Sequence, residues 1–204
     1  MNLFQAANGA ATFLILSALV AGLAKHFDKI EGSLGKYIWG HRPLLYLALF
    51  IVLFRIKTFL DDHRHFAESY QDQTVFRYIG FILAILSWVF WGLAAYLLPA
   101  TSRAAELMAI SILISTLWVG VHVIEILVDS ERRSKEAVIS VMREKWVLVN
   151  IGYVLCLVAY LGWFRPLVAE EEPGALLILL ALLAFDILTS RSFRNIITQP
   201  SRGN

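Results

Sequence analysis

Arg55 and Lys57 interrupt an otherwise apolar run from Pro43 to Leu60 and are followed at once by Asp61 and Asp62. His122 and Glu125 interrupt another run ahead of Asp129, and Asp186 interrupts a third ahead of Arg191. Ionisable groups within lipid-spanning segments are costly, and they persist where they pair, face a water-filled cavity or carry ions and protons. Two chemistries follow. Arg55 and Lys57 can be neutralised by Glu125 or Asp186 on other segments, or Asp186, Glu125, His122 and Arg55 can line an ion or proton path, with Asn150 at a similar level. The structural alternative is that Arg55 and Lys57 reach the lipid head groups along their flexible stems, with Lys57 and Asp61 forming an ordinary four-residue helical pair. Asp186 has too short a side chain for that and must be paired, protonated or facing water.

Metal chemistry is a further option at two places. His122 and Glu125 are three residues apart and share a helix face, and Asp61, Asp62 and His65 offer a comparable arrangement. The stretch Phe59-Leu60-Asp61-Asp62-His63-Arg64-His65-Phe66-Ala67-Glu68 resembles the first aspartate-rich motif of the UbiA-type intramembrane prenyltransferases. That resemblance implies Mg²⁺ held against a lipid or prenyl diphosphate. The sequence departs from the motif at His65, where a further acidic ligand is expected, and no second aspartate-rich motif follows. There is also no Gly-x-Ser-x-Gly elbow, His-Glu-x-x-His pair or phosphate-binding glycine loop. An enzyme is therefore the lesser expectation, and no cofactor is expected outside it.

The elements that must position these groups are set by composition. The 204 residues are 58% hydrophobic and only 17% charged, with a mean hydropathy of +0.66, far from the balance of a soluble domain. Apolar residues gather into runs near the roughly 20 residues that cross a bilayer as helix, and in lipid such runs must satisfy their own backbone. The expected fold is thus all-α: one transmembrane domain over residues 1–204, a polytopic bundle of about six helices. The spans lie near 3–24, 43–60, 78–98, 104–128, 146–164 and 175–190, with an amphipathic cytoplasmic segment over 129–145 where Ala137, Val138, Val141 and Met142 recur at helical spacing. Met1 to Ala24 reads as a retained helix, because no Lys or Arg precedes Lys25.

Basic residues favour the cytoplasmic side. Arg64, Arg77, Arg132, Arg133, Lys135, Arg143, Lys145, Arg191, Arg194 and Arg202 outnumber those of the opposite connections. Both termini are accordingly expected in the cytoplasm, in a plasma or inner membrane. The second, fourth and sixth spans then place their charged groups in their last turns, so the groups share one depth. Trp39, Trp163 and Trp146 read as interfacial anchors, whereas Trp88, Trp91 and Trp118 lie nearer mid-span. Ala18 with Gly22, Ser111 with Ser115 and Gly152 with Cys156 are small residues at four-residue spacing, suited to close helix contact. Lone Cys156 forms no internal disulfide, and scattered basic residues exclude a nucleic-acid partner. The expected partners are the lipid bilayer and either copies of this chain or other membrane proteins. The functional expectation is an ion, proton or small-solute channel or transporter, in one chain or a pore-forming oligomer. An assembly subunit and a Mg²⁺-dependent lipid enzyme at Asp61 and Asp62 are the alternatives.

Overall fold

The computed structural model describes residues 3–27, 41–69, 75–128, 146–162 and 174–190, with the backbone alone at 26, 63–69 and 126. The expected surface helix over 129–145, the anchors Trp39 and Trp163, and the charged neighbours Asp129 and Arg191 lie outside the described residues. Six helices follow in order: α1 (Leu3–Phe27), α2 (Arg42–Ser69), α3 (Val75–Tyr96), α4 (Thr101–Val128), α5 (Trp146–Gly162) and α6 (Gly174–Thr189). There is no strand among the described residues. The chain is a membrane helix bundle in which α1 to α4 are long and apolar enough to cross a bilayer. The 17 residues of α5 and 16 of α6 are shorter, about 25 Å each at about 1.5 Å per residue, against a hydrocarbon core of about 30 Å.

Local chemistry sets the helix ends. Pro43 occupies the first turn of α2, where its missing N–H costs nothing, and the His41 carbonyl accepts from Leu44 at 3.0 Å. Pro99 prevents α3 and α4 from fusing into one rod; the tight turn from Leu97 to Ala100 folds them into a hairpin. The Asp61, Asp62 region does not end α2, which continues to Ser69 beyond the apolar run ending at Leu60. Propensity carries it on, because Asp, His, Arg and Glu are all tolerated in a helix once lipid no longer has to be satisfied.

The helices close into a ring. Going round it, α1 packs on α3, α3 on α4, α4 on α5, α5 on α6, α6 on α2 and α2 back on α1, while α2 also leans inward on α3 and α4. Each helix buries a narrow stripe: on α3 it is Arg77, Gly80, Ala84, Ser87, Trp88, Trp91, Ala94 and Ala95, the three-and-four spacing of one face. The remaining faces are apolar and outward, as with Phe13, Val20, Leu148 and Leu188. Apolar outside and charged inside suits a lipid solvent, and packing then rests on close contact rather than on water exclusion. Gly22 supplies one such contact: a Cβ there would collide with the Tyr96 carbonyl, so α1 and α3 touch backbone to backbone. Gly152 similarly admits Leu182 of α6.

Along the axis the interior has two halves. Leu47, Leu98, Ala104, Ala105, Met108, Ile112, Leu157, Leu176 and Leu179 are wholly buried and fill one. A layer of Phe50, Phe54, Trp91 and Tyr153 caps this plug, with Phe54 stacked on Trp91 at 4.9 Å and edge-on to Tyr153 at 5.5 Å. The polar groups occupy the other half.

Candidate functional site

Four of the six helices, α2, α3, α4 and α6, contribute acidic or basic side chains to this polar end. Lys57 of α2 is the hub of the first cluster. Its Nζ lies 2.8 Å from Asp186 Oδ2 of α6 and 3.1 Å from Asp61 Oδ2. Tyr153 of α5 donates its hydroxyl to the same Asp186 oxygen at 2.9 Å, and the Ser190 hydroxyl donates to Asp61 Oδ1 at 3.1 Å. Lys57 thus stitches α2 to α6, and Tyr153 adds α5. Asp61 Oδ2 is buried without a hydrogen bond, so its contact with Lys57 is electrostatic and off the hydrogen-bonding direction.

Arg55 builds a second cluster toward α1. Its side chain is only 2% exposed, which sets aside the reading that it extends to the head groups. Nε donates to Thr12 Oγ1 at 3.1 Å, Nη1 to Thr58 Oγ1 at 3.3 Å, and Nη2 to both the backbone carbonyl and the side-chain oxygen of Asn8. Asn8 in turn donates to the Phe59 carbonyl at 3.2 Å. Asp62 Oδ2 stands 3.8 Å from Arg55 Nη1, an ion-pair separation longer than a hydrogen bond. The guanidinium also lies 5.6 Å over the Trp88 ring.

Glu125 is taken by neither of these cations. Arg77 of α3 donates to its Oε1 at 3.1 Å, and His122 Nδ1 is 3.3 Å from its Oε2. This clamp joins the start of α3 to the end of α4, with both charged groups buried. Arg77 therefore belongs to a helix interior, not to the connection before it. A purely apolar count starts the span too late, whereas the stripe Arg77, Gly80, Ala84, Ser87 already carries the helical period.

Deeper in the bundle a hydroxyl cluster links α3 and α4. Ser87 Oγ lies 2.9 Å from Ser111 Oγ and 2.8 Å from Ser115 Oγ, while the Ser111 hydroxyl donates to the Ser87 carbonyl at 2.8 Å. Asn150 of α5 donates to Thr116 Oγ1 at 3.2 Å. Between these groups lies a small, half-open cavity of about 40 Å³. Arg55, Lys57, Thr58, Asp61, Asp62, Ser87, Ser115 and Asn150 give its polar lining, and Phe54, Ala84, Trp88, Trp91, Trp118, Val119 and Trp146 its apolar lining. Its walls come from α2, α3, α4 and α5, so this vestibule lies among four of the six helices.

Of the residues singled out by sequence, Arg55, Lys57, Asp61, Asp62 and Asn150 line this vestibule, Asp186 is bound to it through Lys57, and Glu125 with His122 stands apart from it. Asp61 and Asp62 face different partners. Among the described residues no three His, Cys, Asp or Glu side chains converge as metal ligands, and the side chain of His65 lies outside the described residues. Asn8, Thr12, Ser87 and Tyr153 are contributors that single-residue charge scanning passes over. A lone Asn in the first apolar run is the signal that points to one of them. Compared with known protein families, curated proteins and solved structures, the chain matches none.

Proposed function

We propose that the chain is a membrane channel or carrier for a proton, an inorganic ion or another small solute, with the vestibule as the part of the path open at the charged end. The observation that carries this reading is a pocket among four helices, walled by ionisable and hydroxyl groups inside an apolar outer surface. A charge layer serving only to fix helix register has no need of such a pocket. The polar track descends from Asp61 and Asp62 past Asn150 to Ser115 and Ser87, the kind of lining an ion or proton path uses. Beyond Trp91 the packed leucines and alanines close it, so conduction requires the plug to move or ring helices to rock. By the distribution of Lys and Arg, the open end faces the cytoplasm of a plasma or inner membrane.

Purified protein in liposomes tests this directly. Fluxes of H⁺, Na⁺, K⁺ and Cl⁻ are followed with entrapped indicators, beside a Ser115→Leu variant that fills the vestibule without removing an ion-pair member. Flux of at least one ion above protein-free liposomes, falling to that background in folded Ser115→Leu, is the expected result. Wild-type protein passing none of these ions, and no small amine, amino acid or carboxylate added to the outside, contradicts it.

A further inference from the structure

We infer that Asp62 is the site at which the vestibule takes a single positive charge, a proton or a monovalent cation, and this rests on the vestibule being the solute path. The inference begins with charge balance. Among the described residues around the cavity, Asp61, Asp62 and Asp186 face two cations, Arg55 and Lys57, while Arg77 and Glu125 neutralise one another outside it. Lys57 is shared by Asp61 and Asp186. Arg55 directs its hydrogen bonds to the neutral acceptors Thr12, Thr58 and Asn8. Asp62 keeps Arg55 as a counter-charge at 3.8 Å but takes no hydrogen bond from it, and among the described residues the set retains one negative charge in excess.

Its surroundings agree. The Asp62 side chain is 10% exposed and lies 3.8 Å from Arg55, borders the cavity, and receives no hydrogen bond from any described residue. A buried carboxylate without donors is strongly unfavourable, and the open side from which compensation can arrive is the vestibule. Both described cations at the cavity, Arg55 and Lys57, are already engaged by protein oxygens, which disfavours an anionic solute. A divalent ion requires several oxygen ligands, and the described residues converge no such set. A single positive charge fits. Thr58 and Asn150 stand on the same cavity wall and supply neutral oxygens near a cation; a proton needs none. Among the described residues, the other ionisable groups around the site are Arg55, Lys57 and Asp61 on α2, Asp186 on α6 and Tyr153 on α5, while α1 faces it with the neutral Asn8 and Thr12.

The test reads occupancy, not flux, so it remains informative if transport fails. Detergent-purified protein is titrated with NaCl and KCl at ionic strength held constant with N-methylglucamine chloride, while tryptophan fluorescence reports from Trp88, Trp118 and Trp146 at the cavity wall. In parallel, infrared difference spectra across a pH titration follow the carbonyl stretch of a protonated carboxyl. A saturable fluorescence change with Na⁺ or K⁺ identifies an alkali cation; a carboxyl band that titrates independently of both identifies a proton. Asp62→Asn is expected to abolish whichever response the wild type gives and to raise thermal stability, and Asp62→Glu to retain the response. Absence of both responses in the wild type, or their persistence in Asp62→Asn, overturns the inference. A wild type that binds the charge but conducts nothing refutes the transport reading alone.

Discussion

Lys57→Met is expected to destabilise the bundle by about 3–5 kcal/mol, the usual cost of leaving buried charge without its partner. The lysine side chain is 9% exposed and lies between Asp61 and Asp186. Methionine matches its volume but leaves two carboxylates facing each other across the α2–α6 seam. The loss registers as a lower midpoint in thermal unfolding of the detergent-solubilised protein. Adding Asp186→Asn to Lys57→Met is expected to restore a large part of it, because the amide oxygen still accepts from Tyr153 and one negative charge is gone. A Lys57→Met protein as stable as the parent would mean that these carboxylates are solvated, and that the polar half of the bundle is not enclosed.

Arg55→Met is expected to have an effect of similar size, about 3–5 kcal/mol, but in a different place. Arg55 holds the first turns of α1 through Asn8 and Thr12 and stands nearest to Asp62. Its removal leaves acceptors on α1 unfilled and takes away the cation that pairs with Asp62 among the described residues. The opposite end of α1 is fixed independently by the backbone contact at Gly22. Hydrogen exchange should therefore accelerate around Asn8 and Thr12 while the α4–α5 contact keeps its protection. Acceleration spread evenly over all helices would show that Arg55 supports the fold generally and does not tie α1 specifically.

These two residues also show how far the sequence could be read. That they sit in an apolar run near Asp61 and Asp62 is plain from the chain, and helix periodicity with bilayer length places them in the last turns of the expected second span. Lys57 with Asp186 follows from equal depth and opposite charge, the only information a one-dimensional reading has. Depth does not say which helices are neighbours. Glu125 lies at the same level, yet the ring sets α4 against α3, and Arg77 reaches it first. The same ignorance of ring order hides the partners of Arg55: they are neutral groups on α1, and Asn8 or Thr12 attracts no notice until α1 is known to pack against α2. The hydroxyl cluster is half visible, since Ser111 and Ser115 form a small-residue face, but Ser87 joins them only when the α3–α4 hairpin is closed by the Pro99 turn. The vestibule is not legible at all. A cavity is a property of how six stripes meet, and nothing in the spacing of Trp88, Trp118 and Asn150 announces that they share a wall.

The transport reading requires an aqueous vestibule open at the charged end and closed beyond the aromatic layer. Accessibility of introduced cysteines to a charged, membrane-impermeant thiol reagent measures this most directly. On a Cys156→Ala background, Ser115→Cys is placed in the vestibule and Met108→Cys in the plug, and each is labelled in vesicles of both orientations. The account predicts that Ser115→Cys reacts from the charged end alone and Met108→Cys from neither side. Ser115→Cys inert from both sides, or Met108→Cys reacting as fast as Ser115→Cys, would contradict it.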